Sequence, residues 1–146
     1  KWPNDIMSAN FKLAGILIEN SFKSDGSIAT IIGIGLNVNQ TNFENLPKAS
    51  SMAVIANSSF NKDELVWLIV EQLKVNFSLI DSNPESLWSQ YHDVLFKKGV
   101  PMPFKLDTEK AFMGIIQGVS NSGKLIVVLE NDSIVEYCIK EIQMLY

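Results

Sequence analysis

Two apolar runs constrain the fold of this 146-residue chain more than any other feature. They are "FKLAGILIEN" at residues 11–20 and "IATIIGIGLNVN" at residues 28–39, with "SFKSDGS" between them. Runs rich in Ile, Leu and Val favour strands, and a Ser, Asp and Gly linker favours a turn. The pattern predicts an antiparallel hairpin with a long loop. Because both runs are almost continuously apolar, we expect the sheet to be covered on one face and partly on the other.

Helices are predicted after the hairpin. A polar loop over residues 40–50 leads to a short helix in "SSMAVIA", capped by Ser50 or Ser51. Asn61 is a good N-cap with Glu64 as its capping-box partner, and it predicts a helix to about residue 81 that lies across the sheet. Pro84 marks the first turn of another helix. Helical spacing predicts that these two helices turn the following residues inward: Leu65, Leu68, Ile69, Leu73, Phe77 and Ile80, then Leu87, Trp88, Tyr91, Val94 and Leu95.

From Lys97 onward the pattern changes to short β-like segments. Turn-forming triplets separate them: "DTE" at 107–109, "NSG" at 121–123 and "END" at 130–132. Four or five short strands at this spacing predict a small meander or barrel. The predicted fold class is therefore α+β. A mixed or antiparallel sheet with helices packed on it occupies residues 1–97, and a small barrel occupies residues 98–146.

Composition excludes several classes of function. The net charge is −4 and the twelve cationic side chains are all Lys, with no Arg, so a nucleic-acid binder is not expected from these residues. One cysteine and one histidine rule out an internal disulfide and argue against a structural zinc site. No apolar run is long enough to span a membrane and no signal-peptide pattern opens the chain, so we expect a cytoplasmic protein without a membrane partner.

Lys12 and the pair Asn4 and Asp5 are the first candidates for chemistry. Lys12 begins an apolar strand, where it is either an ordinary surface lysine or an ammonium that stabilises a carboxylate or phosphate. Asn4 and Asp5 follow Pro3, so they form either a common turn or a pair of oxygen ligands for Mg²⁺ that bridges nucleotide phosphates. Taken one at a time, the structural alternative is favoured in each case.

The segment "GIGLNVN" offers a second group of candidates. Gly33 and Gly35 lie inside a strand, where glycine costs stability unless something approaches the backbone closely. This is not a dinucleotide fingerprint, because no helix follows the glycines. The amide of Asn37 could instead read the edge of a flat heterocycle.

Three remaining side chains are interpreted as structural. Trp2 is expected in the core rather than as a stacking platform, and His92 as a partly buried structural histidine. Cys138, between Tyr137 and Ile139, is expected to be a small core residue in a strand.

Taken together, "KWPND", "KLAGILIE" and "GIGLNVN" closely resemble the motifs of biotin protein ligases, also called biotin–[acetyl-CoA-carboxylase] ligases. They occur in that family's order and spacing. The resemblance implies the catalytic domain truncated at its N-terminus, followed by the family's SH3-like barrel. It also implies biotin and ATP as substrates, Mg²⁺, and transfer of biotin from biotinyl-5′-AMP to a lysine of a carboxylase's biotin carboxyl carrier domain.

The resemblance also implies roles for individual residues. Lys12 would contact the biotin carboxylate and the adenylate phosphate as the catalytic lysine. The loop at 40–50 would lie on the adenine side. The remaining site residues are Gly15 and Ile16 beside biotin, Lys1, Asn4 and Asp5 near the ATP phosphates with Asp5 toward Mg²⁺, and Asn37 at adenine.

The chain departs from the family in one respect. Biotin ligases carry a Gly- and Arg-rich loop upstream of "KWPND", and this chain has no Arg, so we expect a fragment with part of the site and little activity of its own. Two alternatives stay open: an enzyme similar to lipoate–protein ligase, and a binding module without catalysis. Some family members form homodimers through sheet edges, which leaves the oligomeric state of this protein open.

Overall fold

The structure is a computed structural model that describes residues 1–106 and 110–146. It contains two compact units, one formed by Lys1 and Pro3–Glu71 and the other by Trp2 and Gln72–Tyr146. In the described ranges, each unit contains an antiparallel sheet. The predicted α+β class is confirmed. The division by compactness falls inside a helix, and the expected domain boundary near residue 97 remains a prediction.

The first unit contains the predicted hairpin. Its sheet has strands β1 (Asp5–Ser8), β2 (Phe11–Phe22) and β3 (Ile28–Leu36) in the order β1-β2-β3. The turn between β2 and β3 is stabilised by Asp25, whose carboxylate accepts from the Ser27 N–H at 2.9 Å. An Asp side chain that bonds the backbone two residues on favours such a turn, which explains why this hairpin could be predicted.

The expected cover over the sheet is present only near its base. Ala14 is buried, but Leu17 and Ile18 are 61% and 57% exposed although they point to opposite faces. The described residues supply no layer over the outer part of the hairpin, so the prediction of a sheet covered on one face and partly on the other was wrong there.

Three helices follow in the described part of the chain: α1 (Met52–Ala56), α2 (Lys62–Ser82) and α3 (Pro84–Asp93). The predicted N-cap residues Ser51 and Asn61 are confirmed, whereas the described hydrogen bonds do not include the capping-box bond from the Asn61 N–H to the Glu64 side chain. Ser51 accepts from the Val54 N–H, and Asn61 accepts from Asp63 and Glu64. Asn83 caps α3, with Pro84 in its first turn. Side-chain oxygens satisfy the N–H groups that have no partner within a helix, so these starts are encoded locally.

The apolar faces of the helices are buried less than predicted. In α2, Leu65, Ile69 and Leu73 are partly buried, whereas Leu68, Phe77 and Ile80 are about half exposed. The expectation for Val94 was wrong, because this residue is the C-cap of α3 and is 80% exposed. A residue at the C-cap no longer follows the helical spacing that predicted its direction. None of the helices in the described ranges is long and apolar enough to cross a membrane.

The second unit contains the predicted series of short strands. The described residues form β4 (Pro101–Leu106), β5 (Phe112–Val119), β6 (Leu125–Leu129), β7 (Ile134–Tyr137) and β8 (Ile142–Met144), in the order β7-β6-β5-β4-β8. Phe104 and Val127 are fully buried in its core. The indole of Trp2 belongs to this core and donates to the carbonyl of Gly123 at 2.9 Å, which confirms its predicted place. An SH3-like barrel remains a prediction.

Two of the three predicted turns of this sheet are confirmed, and the third cannot be compared. "NSG" and "END" are turns, with Gly123 and Asp132 at positive φ, whereas "DTE" lies outside the described residues. Cys138 was wrongly expected in a core strand. It is exposed in the turn after β7, where its N–H donates to the Glu141 carboxylate. That bond ends the strand one residue before the cysteine.

His92 is a structural residue, as expected. Its Nε2 accepts from the Val119 N–H at 3.1 Å and so joins α3 to β5. The neighbouring Gly118 leaves room for the ring, since a Cβ there would lie 3.2 Å from the same nitrogen. These contacts involve backbone groups and leave His92 without a catalytic partner among the described residues.

We predict that Gly114→Ala strongly destabilises the second unit. A Cβ at Gly114 would lie 2.6 Å from Val127 Cγ1 and 3.3 Å from Phe104, both fully buried, so the core would have to shift. Overpacking of this kind typically costs about 1–3 kcal/mol. Thermal and denaturant unfolding would measure the loss. The matched control is Gly33→Ala, whose new Cβ would meet nothing closer than 3.8 Å. Equal stability of the two variants would contradict the prediction.

Candidate functional site

One face of the first sheet carries almost no side chains near its base. Asp5 pairs with Gly15, and Gly15 pairs in turn with Gly35, so the three residues lie in one row on one face. The next row on this face pairs Leu17 with Gly33. A Cβ at Gly33 or Gly35 would meet nothing closer than 3.8 Å. The described chain therefore does not require glycine there, and it leaves the backbone open to a ligand.

A β-bulge brings Lys12 to the same face. The β1–β2 ladder shifts by one residue between Ile6 and Met7, so that Met7 lies opposite Lys12. In an uninterrupted ladder Leu13 would lie opposite Met7, and Lys12 would point to the other face. Met7 lies two residues after Asp5, so both side chains point to the same face. The Lys12 side chain, opposite Met7, therefore shares that face with Asp5.

The side chains of Lys1, Asp5 and Lys12 form a charged cluster beside the glycines. Lys12 Nζ lies 2.5 Å from Asp5 Oδ1, and Lys1 Nζ lies 3.3 Å from Asp5 Oδ2. Two ammonium groups and one carboxylate leave one positive charge. The Asp5 side chain is only 14% exposed, whereas that of Lys12 is 45% exposed. The excess positive charge is therefore accessible to an incoming anion.

The protonation of Asp5 reflects this arrangement. Burial raises the pKa of the carboxyl group, but the hydrogen bond from Lys12 and the charges of Lys1 and Lys12 outweigh burial and hold the pKa below its usual value. Asp5 is consequently ionised at neutral pH and keeps Lys12 directed along this face.

Asn4 fixes the start of β1 on β2. Its backbone carbonyl accepts from the Ile16 N–H at 2.8 Å, and its side-chain amide donates to the Ile16 carbonyl at 2.9 Å. Both backbone polar groups of Ile16 are thereby occupied, and its side chain lies on the face opposite Gly15. Ile16 as a ligand-contacting residue remains a prediction, and so does Asn4 at the phosphates.

Asn37 continues the glycine face beyond the end of β3. Its N–H still donates to the Leu13 carbonyl, at 2.8 Å, and alternation places its side chain on the side of Gly33 and Gly35. The Asn37 amide nitrogen donates to the carbonyl of Ser50 at 3.1 Å. The N–H of Ser50 in turn donates to the carbonyl of Lys12 at 3.0 Å. The Ser50 peptide thus connects the predicted adenine-side and carboxylate-side residues.

The described residues form no ready-made metal cage. Among residues 1–106 and 110–146, no group of three or more His, Cys, Asp or Glu side chains converges. Asp5 is occupied by two lysines, and Mg²⁺ in nucleotide sites is usually held by one or two carboxylates together with waters and substrate phosphates. Its predicted contact with Mg²⁺ stays a prediction and does not define a dedicated site.

The sequence is similar to curated ligases. It is 27% identical over 143 residues to the bifunctional ligase/repressor BirA of Escherichia coli, covering 93% of this chain and 42% of that protein. It is 26% identical over 126 residues to the biotin–[acetyl-CoA-carboxylase] ligase of Mycobacterium tuberculosis, covering 86% of the chain and 45% of the ligase. The chain therefore spans less than half the length of these relatives. No family model matches.

The fold agrees with this sequence match. The biotin protein ligase of Aquifex aeolicus, solved in complex with biotin and ATP, superposes with a TM-score of 0.76 at 22% identity, covering 99% of this chain and 60% of that one. This chain is similar to biotin protein ligases. The predicted resemblance to the C-terminal region of these ligases is confirmed in sequence and in fold.

Sequence reasoning named residues that the structure brings together here, but it did not reveal the connections between them. It treated Ser50 and Ser51 only as candidate helix caps, whereas both are buried, and the Ser50 peptide links two segments of the site. The bulge gave no sequence signal. The paired glycines did, because Gly33 and Gly35 alternate within an otherwise apolar strand.

The charged cluster predicts a pH dependence. Because the native pKa of Asp5 is lowered, its pairs stabilise the fold above the unfolded-state pKa of about 3.9. This stabilisation is lost as the pH falls through the lower native pKa. An NMR titration of the Asp5 carboxyl carbon should give a pKa below 3.9, and Lys12→Met should raise it. An Asp5 pKa that does not change in Lys12→Met would contradict the assigned pair.

Proposed function

We propose that this chain is part of an ATP-dependent biotin ligase. Such an enzyme activates biotin as biotinyl-5′-AMP and transfers the biotinyl group to a lysine of a carboxylase carrier domain. The main support for this proposal is the Lys12 ammonium, which is about half exposed and lies beside the face of the sheet that contains Gly15, Gly33 and Gly35. The cluster of Lys1, Asp5 and Lys12 to which it belongs has a net positive charge. The sequence match to curated ligases supports the proposal, which concerns the protein that contains this chain.

In the first step a biotin carboxylate oxygen attacks the α-phosphorus of ATP. The new P–O bond forms as the bond to the pyrophosphate oxygen breaks, and pyrophosphate leaves. Two anions must approach each other for this reaction. The Lys12 ammonium lowers that repulsion and stabilises the negative charge that builds on the phosphoryl oxygens, as a fixed cation does in acyl and phosphoryl transfer.

In the second step the neutral ε-amine of the carrier lysine attacks the carbonyl carbon of the adenylate. The C–O bond to phosphate then breaks, AMP leaves, and the amine loses a proton. Lys12 serves this step in the same manner, because its charge stabilises the phosphate oxygen of the leaving AMP. One cation thereby serves both steps.

The glycine face accounts for how an extended ligand would lie beside Lys12. Gly15, Gly33 and Gly35 have no side chains of their own, and a Cβ at Gly33 or Gly35 would meet nothing closer than 3.8 Å. A ring and its aliphatic chain can make van der Waals contact with such a surface over their length. Gly15 lies closest to the charge, since a Cβ on it would be 3.5 Å from Lys12 Nζ.

The other predicted residues would act on the nucleotide. Lys1 would face the triphosphate from its position beside Asp5, while Asn4 and Asp5 would shape the turn below it. Mg²⁺ would arrive with ATP as part of the substrate, since the described residues form no metal cage. A biotin carboxyl carrier domain as partner and a cytoplasmic location belong to this proposal.

Adenylate formation tests the function. The complete protein that contains this chain is incubated with α-labelled ATP, Mg²⁺ and either biotin or lipoate, and the products are separated. We expect a labelled adenylate and pyrophosphate with biotin, followed by label transfer to an apo carrier domain. Adenylate with lipoate and not with biotin would support the lipoate ligase alternative. Binding of biotin and ATP without pyrophosphate release would instead indicate a binding module.

Lys12→Ala tests the assigned residue. We expect the rate of adenylate formation to fall about 10²–10³-fold, as when one group that stabilises transition-state charge is removed. The fold should stay intact, because the Lys12 side chain is 45% exposed. The matched control is Lys23→Ala, a lysine in the β2–β3 turn away from the cluster. Near-normal activity of Lys12→Ala would rule out the proposed role.

A further inference from the structure

The glycine face of the first sheet continues along the hairpin to a carboxylate. Side chains alternate between the two faces of a strand, so Leu17 and Glu19 follow Gly15 on the same face. Leu17 pairs with Gly33, and Glu19 pairs with Ile31 in the next row. The side chains of Leu17, Glu19 and Ile31 are all exposed. From the base of the sheet outward, this face therefore offers a cationic cluster, glycines, an apolar side chain and then an anion.

The cation and the anion on this face lie a fixed distance apart. A Cβ on Gly15 would be 3.5 Å from Lys12 Nζ, so the ammonium lies over the row of Gly15. Glu19 lies four residues further along β2, which corresponds to about 13 Å of strand. Within the described ranges, the Glu19 side chain makes no hydrogen bond or ion pair. Its carboxylate is therefore available to a ligand that extends along the face from Lys12.

The order of groups on this face defines the chemistry of a complementary ligand. Such a ligand has a carboxylate at one end, a thin aliphatic chain, an apolar ring and hydrogen-bond donors at the other end. An ionised carboxylate accepts hydrogen bonds but cannot donate them, so Glu19 requires donors. Biotin has this order, because its carboxylate is joined by a methylene chain to a thioether ring fused to a cyclic urea with N–H groups. Lipoate has a similar acid and chain, but its dithiolane ring has no N–H.

We propose that Glu19 is a specificity-determining residue that accepts hydrogen bonds from the ureido N–H groups of biotin while Lys12 holds the carboxylate end. Hydrogen bonds to an ionised acceptor are stronger than those between neutral groups. An acid without such donors leaves the Glu19 carboxylate unpaired, which favours biotin over lipoate. This inference rests on the proposed function, since it concerns the acid that the ligase activates.

The test compares acids with and without the ureido group in the complete protein that contains this chain. Pyrophosphate release gives kcat and KM for biotin and for desthiobiotin, which retains the ureido group, and lipoate is measured as a competitive inhibitor. Glu19→Ala should raise KM for both ureido acids about tenfold or more, as expected when a hydrogen bond to a charged group is lost. Glu19→Gln, which keeps an oxygen acceptor without the charge, should raise KM less.

Three other quantities should stay near their wild-type values in Glu19→Ala. They are kcat, KM for ATP and the inhibition constant of lipoate. Glu19 lies far from the reacting carboxylate, and an interaction equal in ground state and transition state changes KM and not kcat. Because the Glu19 side chain is exposed, both variants should fold, and thermal unfolding checks this.

Asn20→Ala is the matched control for loosening of the outer hairpin. Asn20 is the next residue of β2, and its side chain lies on the opposite face, where it accepts from the Thr30 hydroxyl at 2.8 Å. We expect Asn20→Ala to remove this cross-strand bond and to leave KM for biotin unchanged. An equal rise of KM in Asn20→Ala and Glu19→Ala would overturn the proposal.

The remaining outcomes are also decisive. An unchanged KM for biotin in Glu19→Ala overturns the inference and leaves the ligase function intact. A parallel rise of KM for biotin and of the inhibition constant of lipoate overturns it too, because Glu19 would then act on the sheet and not on the ureido group. The absence of any adenylate from biotin in the wild type would instead defeat the proposed function.

Discussion

The position of one extra residue in β2 determines the chemistry of the first sheet. The bulge opposite Met7 directs the Lys12 side chain toward Asp5. The ion pair between Lys12 and Asp5 depends on that direction. Bulges redirect side chains at the cost of a locally broken ladder. Here the backbone of Lys12 regains partners from the loop, since it donates to Lys48 and accepts from Ser50. The irregularity in the β1–β2 ladder thus leaves the backbone of Lys12 available to bond the loop 40–50.

Segments distant in sequence meet through backbone hydrogen bonds rather than through a large apolar core. The turn before β1, the base of the β2–β3 hairpin and the loop 40–50 are joined at Ile16, Leu13 and Ser50. Buried backbone groups need partners, and here those partners come from neighbouring parts of the site. The peptides that hold these segments together are therefore the same ones that border the proposed site.

Much of the fold could be predicted from the sequence because its signals are local. Asp25, Ser51 and Asn61 each bond the backbone within three residues, so their turns and helix starts follow from composition and spacing. The burial of side chains could not be predicted in the same way. Val94 and Cys138 have suitable side chains for a core, but their positions just after α3 and β7 expose them. The bulge likewise depends on how β1 pairs with β2, and no particular residue type marks its position in the sequence.

The pair between Asp5 and Lys12 has a thermodynamic consequence for recognition. A free lysine side chain samples many rotamers, and immobilising it costs entropy. In this protein Asp5 already restrains Lys12, so that entropy is lost during folding and not when a ligand arrives. The same carboxylate also limits the attraction between Lys12 and an incoming anion, because both anions share one cation. Binding of an anion at Lys12 therefore costs little side-chain entropy, and the attraction is weakened by Asp5. Both effects suit a ligand that must be released again.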